Sequence, residues 1–91
     1  MPRISTFYGI EIYMYYNDHL PPHFHAFYAE YEVIILICTS NQPSSVYAGD
    51  MPKAQLKLVL QWADLHCEEL MDNWELARAS QPLNKVAPMI K

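Results

Sequence analysis

His23-Phe24-His25-Ala26-Phe27-Tyr28-Ala29-Glu30-Tyr31-Glu32-Val33-Ile34-Ile35-Leu36-Ile37-Cys38 is the stretch that decides the fold. His23 to Tyr28 reads as a strand, Ala29-Glu30 as a short turn, and Tyr31 to Cys38 as the next strand. Val33 to Ile37 is apolar on both faces, which predicts a central strand covered by a helix. Upstream, Phe7 to Tyr16 alternates. Tyr8, Ile10, Ile12, Met14 and Tyr16 fall on one face, and Phe7, Gly9, Glu11, Tyr13 and Tyr15 on the other. Period two with β-forming residues predicts one strand there. Asn17 to Pro22 is a loop, stiffened by Pro21-Pro22, neither of which can donate to a ladder. Downstream, Thr39 to Ser45 is a polar loop and Val46-Tyr47-Ala48 a short fourth strand.

A helix is predicted from Pro52, with Asp50 as its cap or first-turn anion. Leu56, Leu60, Ala63, Cys67, Leu70, Trp74 and Ala77 recur at spacings of three and four, opposite a solvated stripe of Lys53, Lys57, Gln61, Asp64, Glu68, Asp72 and Glu75. Leu58, Trp62, Leu65 and Leu76 widen the apolar arc. A straight helix to Ala79 would be about 42 Å long, whereas a chain of this size forms a globule about 30 Å across. Either the helix breaks near His66 or its overhang packs on a second subunit. Ser80-Gln81-Pro82 ends it, and the tail to Lys91 is expected to form an irregular strap. The prediction is an α+β fold: a three- to four-stranded, mainly antiparallel sheet followed by one long or broken helical segment packed on one face, in a single domain spanning residues 1–91.

Composition narrows the function classes. Ninety-one residues with 52% hydrophobic content argue for one folded domain rather than disorder. Net charge is −4, and the six basic residues, Arg3, Lys53, Lys57, Arg78, Lys85 and Lys91, are scattered. A phosphate backbone is held by clustered Lys and Arg. Stand-alone nucleic-acid binding is therefore disfavoured, and RNA remains only as a substrate visited for catalysis. Cys38 and Cys67 stand apart in apolar stretches. They read as separate cysteines suited to a reducing cytoplasm rather than as a disulfide framework. No signal peptide is expected at the N-terminus, and the longest apolar run, Val33 to Cys38, is too short to span a bilayer. With two glycines and no Cys-X-X-Cys, phosphate-cradling loops and dithiol motifs are absent.

The chemically unusual segment is Asp18-His19-Leu20-Pro21-Pro22-His23-Phe24-His25. Two residues apart on a strand, His23 and His25 point to one face. Imidazole titrates near neutrality, so the pair suits acid–base work or a shared divalent metal such as zinc. Asp18 and His19, on the stiff loop, could complete a metal site or orient a ring. The plainer alternative is a pair of surface or interface histidines beside a turn. A second polar strip, His66, Glu69 and Asn73, is cut into the apolar helix face at one-turn spacings. It reads either as a buried hydrogen-bonded lock between helix and sheet or as support for His23 and His25 in a catalytic site. The many aromatic residues lack interleaved Lys or Arg, which favours core or protein-interface packing over base stacking.

Two blocks of residues resemble a known family. Phe7-Tyr8-Gly9-Ile10 with Ile12-Tyr13-Met14-Tyr15, Asn17-Asp18-His19 and Pro21-Pro22-His23-Phe24-His25-Ala26 form the first. Pro52-Lys53, Leu58-Val59, Trp62, Leu65-His66, Glu69-Leu70, Asn73-Trp74 and Leu76-Ala77 form the second. Together they resemble a small bacterial family labelled domain of unknown function 4160, across nearly the whole chain. The family usually has a Gly-containing turn where this chain has Ala29-Glu30. The resemblance implies a protein of toxin–antitoxin-like size with a small partner protein encoded nearby, and it assigns no catalytic roles. As a toxin, the protein would cleave RNA with His23 and His25 as base and acid and His66 or Glu69 in support. The alternative is a non-catalytic metal-binding or protein-interaction module, and a homodimer is compatible with either.

Overall fold

The computed structural model describes residues 2–89. Five strands form one antiparallel sheet in chain order: β1 (Arg3–Phe7), β2 (Ile10–Tyr13), β3 (His23–Tyr28), β4 (Tyr31–Leu36) and β5 (Ser45–Gly49). Two helices follow, α1 (Lys53–Leu65) and α2 (Cys67–Arg78). The class is the expected α+β, with five strands in place of three or four. The extra strand comes from a turn hidden inside the Phe7–Tyr16 alternation. Phe7 pairs with Ile10, and the two residues between them, Tyr8 and Gly9, take φ of 50° and 78°. Paired left-handed residues make the tight hairpin turn whose twist matches the flanking strands. The predicted strand therefore corresponds to β2 beyond that turn, and its first residue, Phe7, ends a separate strand whose other residues lie upstream.

The register sorts the sheet into two faces. Ile12 pairs with Ala26 and Ala26 with Val33, while Phe24 pairs with Ile35; all five are buried, with Ile10. This apolar face receives the helices. Trp62 of α1 sits 5.2 Å from the Phe7 ring and edge-on to Phe24 at 5.9 Å, and its indole N–H donates to the Ala87 carbonyl at 2.8 Å. Leu70, Trp74 and Ala77 of α2 join the same core. β4 lies inside the sheet, as its apolar run predicts, but only Val33 and Ile35 are fully covered; Ile34 and Leu36 on the other face are half-buried.

The helical segment breaks at His66, whose φ of −124° and ψ of 30° leave the helical region. The molecule measures 33 Å along its longest axis, too short for one straight helix of that length. The break leaves Leu65 exposed, off the expected apolar arc. Asp50 does not cap α1: no side chain does so, and Pro52 stands at the cap position. Beyond α2 the chain runs as the expected strap. The Val86 amide donates to the Ile4 carbonyl at 2.8 Å, and Asn73 accepts from and donates to the Asn84 backbone, both at 2.9 Å.

The cysteines also depart from expectation. Cys38 and Cys67 are not separate thiols; they are joined in a disulfide, with Cα atoms 5.5 Å apart. The helix break returns the chain to the end of β4 and places Cys67 opposite Cys38, a meeting that spacing along the chain does not reveal.

Two positions test the backbone. Ala29, in the two-residue turn between β3 and β4, has a φ of 53°. Relieving that left-handed alanine outweighs the added freedom of the unfolded chain, so Ala29→Gly should raise stability by about 0.5–1 kcal/mol. Gly49 has a φ of 83°, and a Cβ there would run into the Glu32 carbonyl oxygen. Gly49→Ala should cost about 2 kcal/mol or more. Urea denaturation midpoints of the two variants should move in opposite directions.

Candidate functional site

The loop between β2 and β3 is held at both ends. The Asn17 amide donates to the Ala77 carbonyl at 3.2 Å, and its side chain donates to Ser80 Oγ at 3.0 Å. Asn17 takes a φ of 53°, which asparagine tolerates well. At the other end the Ile37 amide donates to the Pro22 carbonyl at 3.1 Å. Asp18 therefore hangs from a loop tied to α2 on one side and to the end of β4 on the other. Leu20-Pro21 is a cis peptide.

Asp18 meets both strand histidines. Its Oδ2 lies 2.9 Å from His23 Nε2 and 3.4 Å from His25 Nε2. The other ring nitrogens are also engaged. His23 Nδ1 is 2.7 Å from the Pro21 carbonyl oxygen, and His25 Nδ1 is 3.1 Å from Glu32 Oε2. The two rings are 5.3 Å apart, His23 packs 5.2 Å from Trp74, and Tyr15 lies 4.4 Å from His25. The side chains of His23, His25 and Asp18 are 5%, 11% and 16% exposed, so water screens this cluster weakly.

The protons on these rings follow from their partners. A carbonyl and a carboxylate only accept, so each Nδ1 carries a hydrogen and donates it. In a neutral ring the Nε2 is then a lone pair, and both Nε2 atoms face a carboxylate oxygen that also only accepts. The contacts are satisfied by a second proton on each ring or by a cation among the three atoms. Histidine ligands of metals carry this same outer pattern, the second ring nitrogen donating to a carbonyl or carboxylate.

Burial works to raise the Asp18 pKa. The His19 amide, 2.9 Å from Oδ1, together with the hydrogen bond of His25 and the charge and hydrogen bond of His23, overcomes it and holds the carboxyl below its usual range. Burial also pushes the Tyr15 phenol up, with the charge of Glu32 adding to the effect.

The expected residues divide into three groups. Asp18, His23 and His25 converge, with one ligand atom from each all within 4.8 Å of one another. His19 is 80% exposed and binds the outer Asp18 oxygen, its Nδ1 3.0 Å from Oδ1. The helix strip goes elsewhere. His66 Nδ1 pairs with Glu69 Oε1 at 2.6 Å beside Trp62, and Asn73 clamps the strap at Asn84. Among the described residues no hydrogen bond joins His66, Glu69 or Asn73 to Asp18, His23 or His25. Sequence reading missed Glu32. Its signal was present, because the two-residue turn at Ala29-Glu30 sets Phe27 opposite Glu32 and His25 opposite Ile34. That places the carboxylate diagonally beside His25 on the same face.

The fold and site together define an α+β protein, a five-stranded antiparallel meander under two helices, with a histidine–aspartate cluster where its third strand begins. The chain matches the model of a domain of unknown function (DUF4160) over residues 9–75 and belongs to that family. The matched segment contains Asp18, His23, His25 and Glu32 and excludes β1 and the C-terminal strap. No curated protein and no solved structure matches the chain. No helix of the described residues is long and apolar enough to cross a membrane.

The lowered Asp18 pKa has a definite sign. The unfolded chain protonates at about pH 3.9, before the folded one does, so acid favours unfolding. The stabilisation is full above that pH and is lost as pH falls through the folded value. In chelator-treated protein, the stability gap between wild type and Asp18→Asn should narrow on acidification below about pH 4. Denaturation curves at stepped acidic pH measure it, and a gap that stays constant across that window would contradict the assignment.

Proposed function

We propose that this protein binds a first-row divalent cation, with zinc as the reference ion, through His23 Nε2, His25 Nε2 and Asp18 Oδ2. The observation that carries this reading is that both Nε2 atoms lie against one Asp18 carboxylate oxygen while each Nδ1 is engaged by an outer acceptor, Pro21 O or Glu32 Oε2. The spacing supports it. Ligand atoms about 2.0–2.1 Å from a tetrahedral zinc lie about 3.3 Å apart, and the two Asp18 distances, 2.9 and 3.4 Å, bracket that value. Two imidazoles and one carboxylate suit zinc and its neighbours rather than calcium or magnesium, which prefer all-oxygen shells. Three protein ligands leave a coordination position for water or a small ligand, and His19 offers a further nitrogen on the outer side of Asp18.

RNA cleavage by His23 and His25, as in a toxin of a toxin–antitoxin-like pair, draws less from this geometry. Both rings are nearly covered, His66 and Glu69 satisfy each other, and the chain is acidic. A homodimer and a cytoplasmic location are compatible with both readings, whereas the partner encoded nearby belongs to this one. Its natural docking surface is the half-buried face of Tyr13, Phe27 and Ile34 that alternates with the core residues.

Chelator-stripped protein refolded with zinc and desalted should carry about one equivalent by elemental analysis. Free zinc at about 100 times Kd should stabilise it by about 2.7 kcal/mol, reversed by chelator. His23→Ala, His25→Ala and Asp18→Asn should lose both effects, while His66→Ala should keep them. Metal well below one equivalent together with an unmoved melting temperature would sink the proposal. Loss of cellular RNA on incubation, abolished in His25→Ala, would favour the toxin reading instead.

A further inference from the structure

The Cys38–Cys67 pair lies outside the histidine–aspartate cluster and invites its own chemistry. Its Cα separation of 5.5 Å is in the middle of the bridging range. The two residues join separate parts of the fold: Cys38 follows β4, and Cys67 is the first residue of α2, just past the break at His66. They differ in access. Cys38 is 3% exposed, whereas Cys67 is half-buried. Both line an open groove of about 320 Å³ floored by Thr39 to Pro43 and Asp64. A small molecule can therefore approach one sulfur while the other stays shielded behind it. Accessible disulfides are the ones that exchange, in contrast to fully enclosed structural bridges.

We propose that Cys38 and Cys67 form a reversible thiol–disulfide site whose co-reactant is a low-molecular-weight disulfide. The Cys67 sulfur, as thiolate, attacks one sulfur of R–S–S–R. A Cys67–S–S–R disulfide forms, the S–S bond of R–S–S–R breaks, and one thiol, R–SH, leaves with the proton that Cys67 lost. The Cys38 sulfur then attacks the Cys67 sulfur. The Cys38–Cys67 bond forms, the bond to SR breaks, and a second thiol leaves with the Cys38 proton. Two cysteine thiols are oxidised, and one disulfide is reduced to two thiols. The closed form ties the end of β4 to the helix break; the open form leaves that junction to packing and to the hydrogen bond that the Ser44 amide donates to Asp64 Oδ1 at 2.8 Å.

Full-length protein equilibrated across ratios of reduced to oxidised glutathione, quenched in acid, alkylated and weighed intact provides the test. The expected result is one transition from a doubly alkylated chain to an unalkylated monomer two hydrogens lighter than the untreated reduced chain. The melting temperature of the oxidised form should be higher by about 10 °C. Cys38→Ser should trap a glutathione adduct on Cys67, and Cys67→Ser should carry far less adduct on Cys38. Thiols alkylated at every ratio, a bridge that resists excess dithiol, bonds between chains, or equal adducts on the two variants would each overturn the proposal. Zinc binding at the histidine cluster should be unchanged in Cys67→Ser, so the two sites stand or fall separately.

Discussion

Trp62 is the contact on which the rest of the structure depends. It is wholly buried, and it touches three separate parts of the chain: Phe7 at the end of β1, Phe24 in β3 and the Ala87 carbonyl of the C-terminal strap. An indole buried this deeply needs both apolar walls and a partner for its N–H, and here the sheet supplies the first and the strap the second. Seating it commits the helices to the Phe24 face of the sheet. The histidines, at alternate positions of the same strand, are thereby left off that face.

That division explains why the candidate site is polar yet nearly covered. His23 and His25 cannot join the Trp62 core without stranding four ring nitrogens, and buried polar atoms left unpaired cost more than packing returns. The fold meets all four from three directions: the Pro21 carbonyl, the Glu32 carboxylate, and Asp18 shared between the two rings. Asp18 reaches them because its loop is fastened to Ala77 and Ser80 of the α2 end. The helix that completes the core thus also aims the carboxylate, and packing and site chemistry share one set of constraints.

The helix break has a similar double effect. It shortens the helical layer to fit a molecule 33 Å long, exposes Leu65, and brings Cys67 to Cys38. The polar strip His66, Glu69 and Asn73 lies wholly on the α2 side of the break, and its members find different partners. His66 and Glu69 stay at the kink, while Asn73 turns inward to hold Asn84.

Local pattern determined a good deal. Alternation in His23 to Tyr28 and the apolar run Val33 to Ile37 identified two neighbouring strands, because side-chain direction along a strand depends only on parity. The same parity put His23 and His25 on one face. The length argument required either a break or an overhang, because helix rise and globule size are both general; the structure takes the break, at His66. Other features were decided only in three dimensions. The hairpin at Tyr8-Gly9 was hidden because a two-residue turn preserves alternation on either side. Asp18 was within reach of sequence reading, but Glu32 of β4 and the Pro21 carbonyl, rather than the helix forty residues later, completed the surroundings of His23 and His25. Cys38 found Cys67 across 29 residues. Periodicity reports which way a side chain points; what it meets is set by how the chain returns in space, and that return was decided by the packing around Trp62.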